Sequence, residues 1–204
     1  MKIFKNSLLL SAVCCFVACT NRQRVIEGTL SGDLYDNEVV YWVPFKDASS
    51  ATVDSGRINK NTFRIVVSAH NYDRMGIVRV RPQFRLGLQD ILVFAEKGTV
   101  NVHLDSISRA TGTPLNETLQ YWKDRKRSYD IDYFTLRRKL RTSDVDAQES
   151  IKTEMENVST AYHNDIYQLV IDNNENEAGK FIYSLHKDRF TPEQTEALSI
   201  FFPE

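Results

Sequence analysis

The spacing of apolar residues changes near residue 113, and a chain whose apolar period changes has to build two kinds of structure. Up to that point the pattern repeats every second residue. Arg24-Val25-Ile26-Glu27-Gly28-Thr29-Leu30 opens the series, and Val39-Val40-Tyr41-Trp42-Val43 follows, closed by Pro44. Residues 51–58 lead through the polar turn Asn59-Lys60-Asn61 to Thr62-Phe63-Arg64-Ile65-Val66-Val67. Ile77-Val78-Arg79-Val80-Arg81, Ile91-Leu92-Val93-Phe94 and Val100-Asn101-Val102-His103-Leu104 complete the set. Such runs between turn signals predict about seven strands over residues 24–110, arranged as an antiparallel β-sandwich with one face of each sheet buried and one wet.

From residue 113 the period lengthens to that of a helix. Thr113-Pro114 reads as an N-cap followed by proline at the first helical position. Leu115, Leu119, Trp122, Tyr129, Tyr133, Leu136 and Leu140 form one stripe. A second stripe, Ile151, Met155, Val158, Tyr162, Ile166 and Leu169, follows a break at Ser143-Asp144. Residues 180–187 suggest a third helix, and Thr191-Pro192-Glu193-Gln194 has capping-box spacing for a last one. The expected fold class is therefore α+β, with a helical region over residues 113–204. Residues 121–141 carry eight basic and three acidic side chains, and residues 144–177 nine acidic and one basic. Two readings follow, an antiparallel hairpin whose flanking charges face each other and a basic helix that meets anionic lipid.

The N-terminus gives an address. Lys2 and Lys5 precede an apolar run, Leu8 to Val17, which is too short to span a bilayer and suits a signal-peptide h-region. The run ends in Phe16-Val17-Ala18-Cys19, which resembles the lipobox of bacterial lipoproteins with Phe16 where leucine is usual. The resemblance implies a signal peptide over residues 1–18, cleavage before Cys19, lipid (palmitate among it) on that cysteine and a short linker over residues 19–23. The alternative, an ordinary signal peptide cut nearby, leaves Cys19 as a free thiol in an oxidising compartment. All three cysteines lie at or before Cys19, so a mature chain of about 185 residues has no intramolecular disulfide, no Cys-x-x-Cys pair and no cysteine zinc site. Its partner is a membrane, met through the N-terminal lipid anchor. Thr20-Asn21-Arg22-Gln23-Arg24 lacks the acidic run that resembles a surface-export signal, so the expected place is the periplasmic face of an outer membrane. A net charge of −1 argues against a nucleic-acid partner.

Three short motifs carry a wider resemblance: Glu27-Gly28-Thr29-Leu30-Ser31-Gly32, then Val53-Asp54-Ser55-Gly56 with Phe63 and Ile65 beyond the turn, then Thr111-Gly112-Thr113-Pro114-Leu115-Asn116. Together they resemble the N-terminal module of unknown function of Bacteroidetes lipoproteins that continue into a thioredoxin-like (AhpC/TSA) domain. The resemblance covers roughly residues 24–125. No Trp-Cys-x-x-Cys is present in the 204 residues, so disulfide exchange does not carry over. The resemblance implies an accessory module.

Chemistry-bearing motifs are sparse. His70, His103, His163 and His186 show no helical or strand pairing, and no metal or other cofactor is implied. Asp172-Asn173-Asn174-Glu175-Asn176-Glu177 begins like a calcium loop but has Glu177 at the sixth position and Tyr183 at the twelfth, where glycine and glutamate are needed. No catalytic residue is assigned. Arg79 and Arg81, with Arg74 and Arg85 nearby, form either an anion-binding strip or a solvated face. Tyr41 and Trp42, with Tyr35 and Phe45, form either a ligand-stacking cluster or core. Asp105-Ser106-Ile107 resembles the O-glycosylation signal of Bacteroidetes exported proteins, which makes Ser106 a candidate. Asn116-Glu117-Thr118 has the asparagine sequon, although its machinery is not expected in such a bacterium. The functional expectation is a non-enzymatic binding or scaffold lipoprotein of the cell envelope, with an envelope protein as a partner. The alternatives are an accessory subunit of a separate thioredoxin-like redox protein and a hydrolase with a site between the two halves.

Overall fold

A computed structural model describes residues 23–81 and 87–203. Cys19 and Arg85 lie outside the described residues. Among the described residues eight strands precede four α-helices: β1 (Arg24–Leu30), β2 (Val39–Pro44), β3 (Asp54–Arg57), β4 (Thr62–Val66), β5 (Met75–Arg79), β6 (Ile91–Phe94), β7 (Gly98–Leu104) and β8 (Arg109–Thr111), then α1 (Pro114–Thr142), α2 (Val145–Asp172), α3 (Glu177–His186) and α4 (Pro192–Ser199). The strands form two four-stranded sheets, ordered β4-β1-β7-β8 and β3-β2-β5-β6. Ile26 and Val102 of the first sheet and Val40, Trp42, Val78 and Val93 of the second share one buried apolar core.

Two expectations are corrected. Among the described residues there are eight strands, because Arg109–Thr111 adds one that is too short to show a period. The sheets are not wholly antiparallel either, since β1 and β7 pair in parallel along seven residues, Arg24 beside Gly98 through Leu30 beside Leu104. Between β1 and β7 the chain lays down all four strands of the second sheet and β4 on the other side of β1, then enters β7 from the same end as β1. So long a connection is what parallel pairing requires.

The two sheets are joined at both sides. On one side β3 turns into β4, with Lys60 and Asn61 at φ 49° and 60°, successive left-handed residues that suit a tight hairpin turn. Gly56 permits the close approach there, because a Cβ on it would stand 2.3 Å from the Arg64 carbonyl oxygen. On the other side the edge strands β6 and β8 are left with unpaired backbone groups, and α1 covers them. Asn116 Oδ1 accepts from Phe94 N at 2.9 Å while its Nδ2 donates to Phe94 O at 2.9 Å. One helical turn on, Gln120 Oε1 accepts from Ala110 N at 2.9 Å. A turn further, Lys123 Nζ donates to Leu92 O at 3.2 Å. Three side chains on one face of α1 thus clip an edge of each sheet.

Phe94, Leu119 and Ala178 seat the helices on the second sheet, with Trp122 and Phe181 packed around them. Tyr162, Ile166, Val170, Ile182 and Leu198 make a separate helical core. α1 and α2 form the expected hairpin, and Asp144 caps α2 by accepting from Ala147 N at 2.9 Å. The capping box at Thr191 and Gln194 is formed.

The flanking charges mostly do not face each other. Arg125 pairs with Asp165 across the hairpin. Among the described residues, Arg127, Arg137, Arg138, Lys139 and Arg141 have no carboxylate within ion-pair distance. Helical spacing gives the reason for two of them: Arg127 and Arg138 share one side of α1 with Ile131 and Phe134, opposite the buried Leu136.

Candidate functional site

The helices cover part of the second sheet, while the outer face of the first sheet stays open. Strand alternation sends Thr62 and Arg64 (β4), Glu27 and Thr29 (β1), Asn101 and His103 (β7) and Arg109 and Thr111 (β8) to that face. Register aligns them in two rows. Thr62, Thr29, His103 and Arg109 stand side by side across the four strands, and so do Arg64, Glu27, Asn101 and Thr111. They line an open hollow of about 810 Å³, closed at one end by Arg57 and Asn59.

Most groups in the hollow are held. Arg64 Nε lies 3.1 Å from Glu27 Oε1. Arg109 makes a bidentate pair with Asp124 of α1 at 3.0 and 2.6 Å, and Arg57 donates to Asn37 O at 2.6 Å. His103 lies between two hydroxyls, with Nδ1 2.7 Å from Thr29 Oγ1 and Nε2 3.1 Å from Ser31 Oγ. In the neutral ring one nitrogen donates and the other accepts.

Thr29, His103 and Asp105 have the order of a hydroxyl, imidazole and carboxylate triad, but the geometry does not complete one. Asp105 Oδ2 is 3.6 Å from His103 Nε2, beyond a hydrogen bond. The backbone of β1 beside Thr29 is committed to β4 and β7 on its two sides, which leaves no pair of N–H groups free to hold a developing oxyanion. The arrangement can present donors and acceptors to a polar ligand; it is not organised to activate a nucleophile.

The residues picked out by sequence do not gather here. Trp42 and Tyr41 point to opposite faces of β2: Trp42 is fully buried in the core and Tyr41 is half-buried on the outside. Tyr35 is also core, and Phe45 meets Phe181 of α3 edge-on at 6.2 Å. The expected aromatic cluster is thus divided between core and surface. The arginines are spoken for individually. Arg79 pairs with Asp90 through Nε at 3.1 Å and Nη2 at 2.6 Å, Arg81 lies 3.4 Å from Glu38, and Arg74 donates to Lys46 O at 2.7 Å. Ser106 is exposed in the β7–β8 turn, where Asp105 Oδ1 accepts from Ile107 N at 2.6 Å. Asn116 of the sequon is fully buried.

The cleft between the halves, about 590 Å³, has an apolar floor of Phe45, Met75, Phe94, Phe181 and Leu185. Two of its rim carboxylates are ion-paired, Asp73 with Arg24 at 2.8 Å and Glu177 with Lys180 at 2.8 Å. Among the described residues no three His, Cys, Asp or Glu side chains are grouped to hold a metal ion. No helix among them is long and apolar enough to cross a membrane.

The two rows on the first sheet escaped sequence reading because strand alternation reveals which residues are wet but not which wet residues of distant strands become neighbours. Thr29 and His103 are 74 positions apart.

Residues 25–119 match the model of a family described as "Domain of unknown function (DUF4369)". The matched stretch runs from β1 to the Asn116 clip and Leu119, so it takes in both sheets and the start of α1. No curated protein and no solved structure matches the chain.

Proposed function

We propose that the chain is a cell-envelope lipoprotein, lipidated at Cys19 on the periplasmic face of the outer membrane, and that it acts as a non-enzymatic binding or scaffold module through the outer face of its first sheet. The β part is read as a sandwich of two sheets, one covered by helices and one free to meet a partner. One observation carries the reading: two aligned rows of outward polar side chains line an open hollow of about 810 Å³ with no completed catalytic geometry.

The test is a pull-down from detergent-solubilised envelope with the lipidated protein as bait, run beside a double variant, Thr62→Lys with Asn101→Lys. Both positions are exposed, so the variant is expected to fold, and circular dichroism verifies that. A stoichiometric partner held by the parent and lost from the variant supports the face. A partner held equally by both rejects it, and turnover in a broad activity screen rejects the non-enzymatic reading. Recovery of a thioredoxin-like protein would select the accessory-subunit alternative, which the motif resemblance motivates. Loss of lipid from a Cys19→Ser variant checks the anchor. Protection from protease on intact cells checks the side of the membrane.

A further inference from the structure

We propose that a groove along the side of α1 that carries Lys123, Arg127, Ile131 and Phe134, beginning where α1 meets the sheet edges and running on past them, binds a monomeric anionic amphiphile, with its oxyanion head between Lys123 and Arg127 and its alkyl tail on Ile131 and Phe134. The proposal is independent of the first-sheet face and of the lipid on Cys19.

The head site is a cavity of about 350 Å³ between the chain entering β6, the residue before β8 and α1, lined by Gln89, Asp90, Ser108, Lys123, Lys126 and Arg127 among others. Positions 123, 126 and 127 fall on one side of a helix, so three cations converge there. The two lining carboxylates are already engaged, Asp90 by Arg79 at 2.6 Å and Asp130 by Lys126 at 2.6 Å. Asp124, next in sequence to Lys123, is held by Arg109 and by Gln120 Nε2 at 3.0 Å. Among the described residues Lys123 and Arg127 have no carboxylate partner, and the Lys123 ammonium spends one of its three hydrogens on Leu92 O. A half-buried ammonium and a guanidinium facing one cavity whose carboxylates are engaged by other cations are what an oxyanion would complete. Burial and the neighbouring Arg109 and Arg127 charges also pull the lysine down to a pKa of about 8, against the opposing pull of Asp124.

The cavity continues along the helix. Asp130 and Ile131 line both it and a second hollow of about 420 Å³, formed with Phe134, Thr135 and Arg138. Ile131 is 60 % and Phe134 58 % exposed, neighbouring large apolar side chains on one side of the helix. From Arg127 to Phe134 the helix rises ~10 Å, so a charged head and an apolar tail each find their own surface. A bare phosphate would use only the first half, and a neutral alkyl chain only the second.

Titration calorimetry on the full chain decides it, with octyl phosphate below its micelle concentration, inorganic phosphate and 1-octanol as probes. Octyl phosphate is expected to bind roughly tenfold or more tightly than either of the others. Arg127→Gln is expected to weaken octyl phosphate by roughly tenfold. Phe134→Ser is expected to weaken octyl phosphate but leave inorganic phosphate unchanged. Both positions lie on the surface of α1, so neither variant is expected to unfold the protein, and circular dichroism verifies that. Any amphiphile taken up at the N-terminus is common to parent and variants, so it cancels between them. Equal binding by parent and variants, or inorganic phosphate binding as tightly as octyl phosphate, overturns the proposal. So does binding to phosphatidylglycerol vesicles without binding to monomeric octyl phosphate.

Discussion

His186 shows how one buried side chain ties stability to pH. Trp122 Nε1 lies 3.0 Å from His186 Nε2, and an indole N–H can only donate, so that ring nitrogen has to be an unprotonated acceptor. Burial, helped by the nearby charges of His163, Lys126 and Arg189, lowers its pKa to about 4. Because the folded value lies below the unfolded value of ~6.5, the unfolded chain takes up the proton first. Stability is therefore complete above pH ~6.5 and falls as the pH drops toward 4, by on the order of 2 kcal/mol from this group. Urea melts of the parent and of His186→Leu at pH 7 and pH 5 check this: the variant should be less stable at pH 7, with Trp122 left unpaired, but should lose less on acidification. An equal loss in both would remove His186 from the account. Gly56 makes a steric case at the same scale. Alanine there would place a methyl 2.3 Å from the Arg64 carbonyl oxygen, so Gly56→Ala should cost about 2–3 kcal/mol in a denaturant melt by forcing β3 from β4.

Among the elements, α1 does most to position the rest. Its first three turns give Asn116, Gln120 and Lys123 to the edges of β6 and β8, which closes the open side of the two sheets. Asn116→Leu keeps the size of the side chain but strips Phe94 of both backbone partners in a buried place. The expected loss is about 2–4 kcal/mol, since each orphaned group costs ~1–3 kcal/mol, and chemical denaturation of the variant measures it; a cost under about 1 kcal/mol would mean that the clip is incidental. Part of this was legible in the sequence. The period change, Thr113-Pro114 and Thr191-Pro192-Glu193-Gln194 mark helices that form close to where they are read. The strand runs are equally plain, but period two says nothing about partner or direction, so the parallel β1–β7 pair stayed hidden. Asp54 illustrates the same limit. Its motif is visible, yet its work is to accept from Ser68 N at 2.9 Å and from the buried Asn71 Nδ2 at 2.8 Å, contacts from the start of β3 to the β4–β5 connection that no local pattern announces.

Across the whole molecule, burial is uneven and stability should follow it. Both sheets share one continuous core, and the base of the helical region has its own around Tyr162, Ile166 and Ile182. The far end of the α1–α2 hairpin has little of either. Between Gln120 and the end of α1 the buried residue is Leu136, and on α2 before Tyr162 it is Ile151. Its charges do not compensate, since the cross-hairpin pair Arg125–Asp165 lies nearer the base, and exposed pairs contribute only ~0–1 kcal/mol. The sheets and the hairpin tip should therefore open as separate units, the tip at a lower free energy. Native-state hydrogen exchange tests this residue by residue: amides of residues 134–155 should exchange through partial opening, while those of β1 and β7 exchange only on global unfolding. Leu136→Ala, which removes one of the two anchors, should speed exchange at the tip by the equivalent of about 2–3 kcal/mol and leave β7 unchanged. Equal protection of tip and sheet would instead require that the hairpin and the sheets melt as one cooperative unit, with the seat at Phe94, Leu119 and Ala178 transmitting the loss from one to the other.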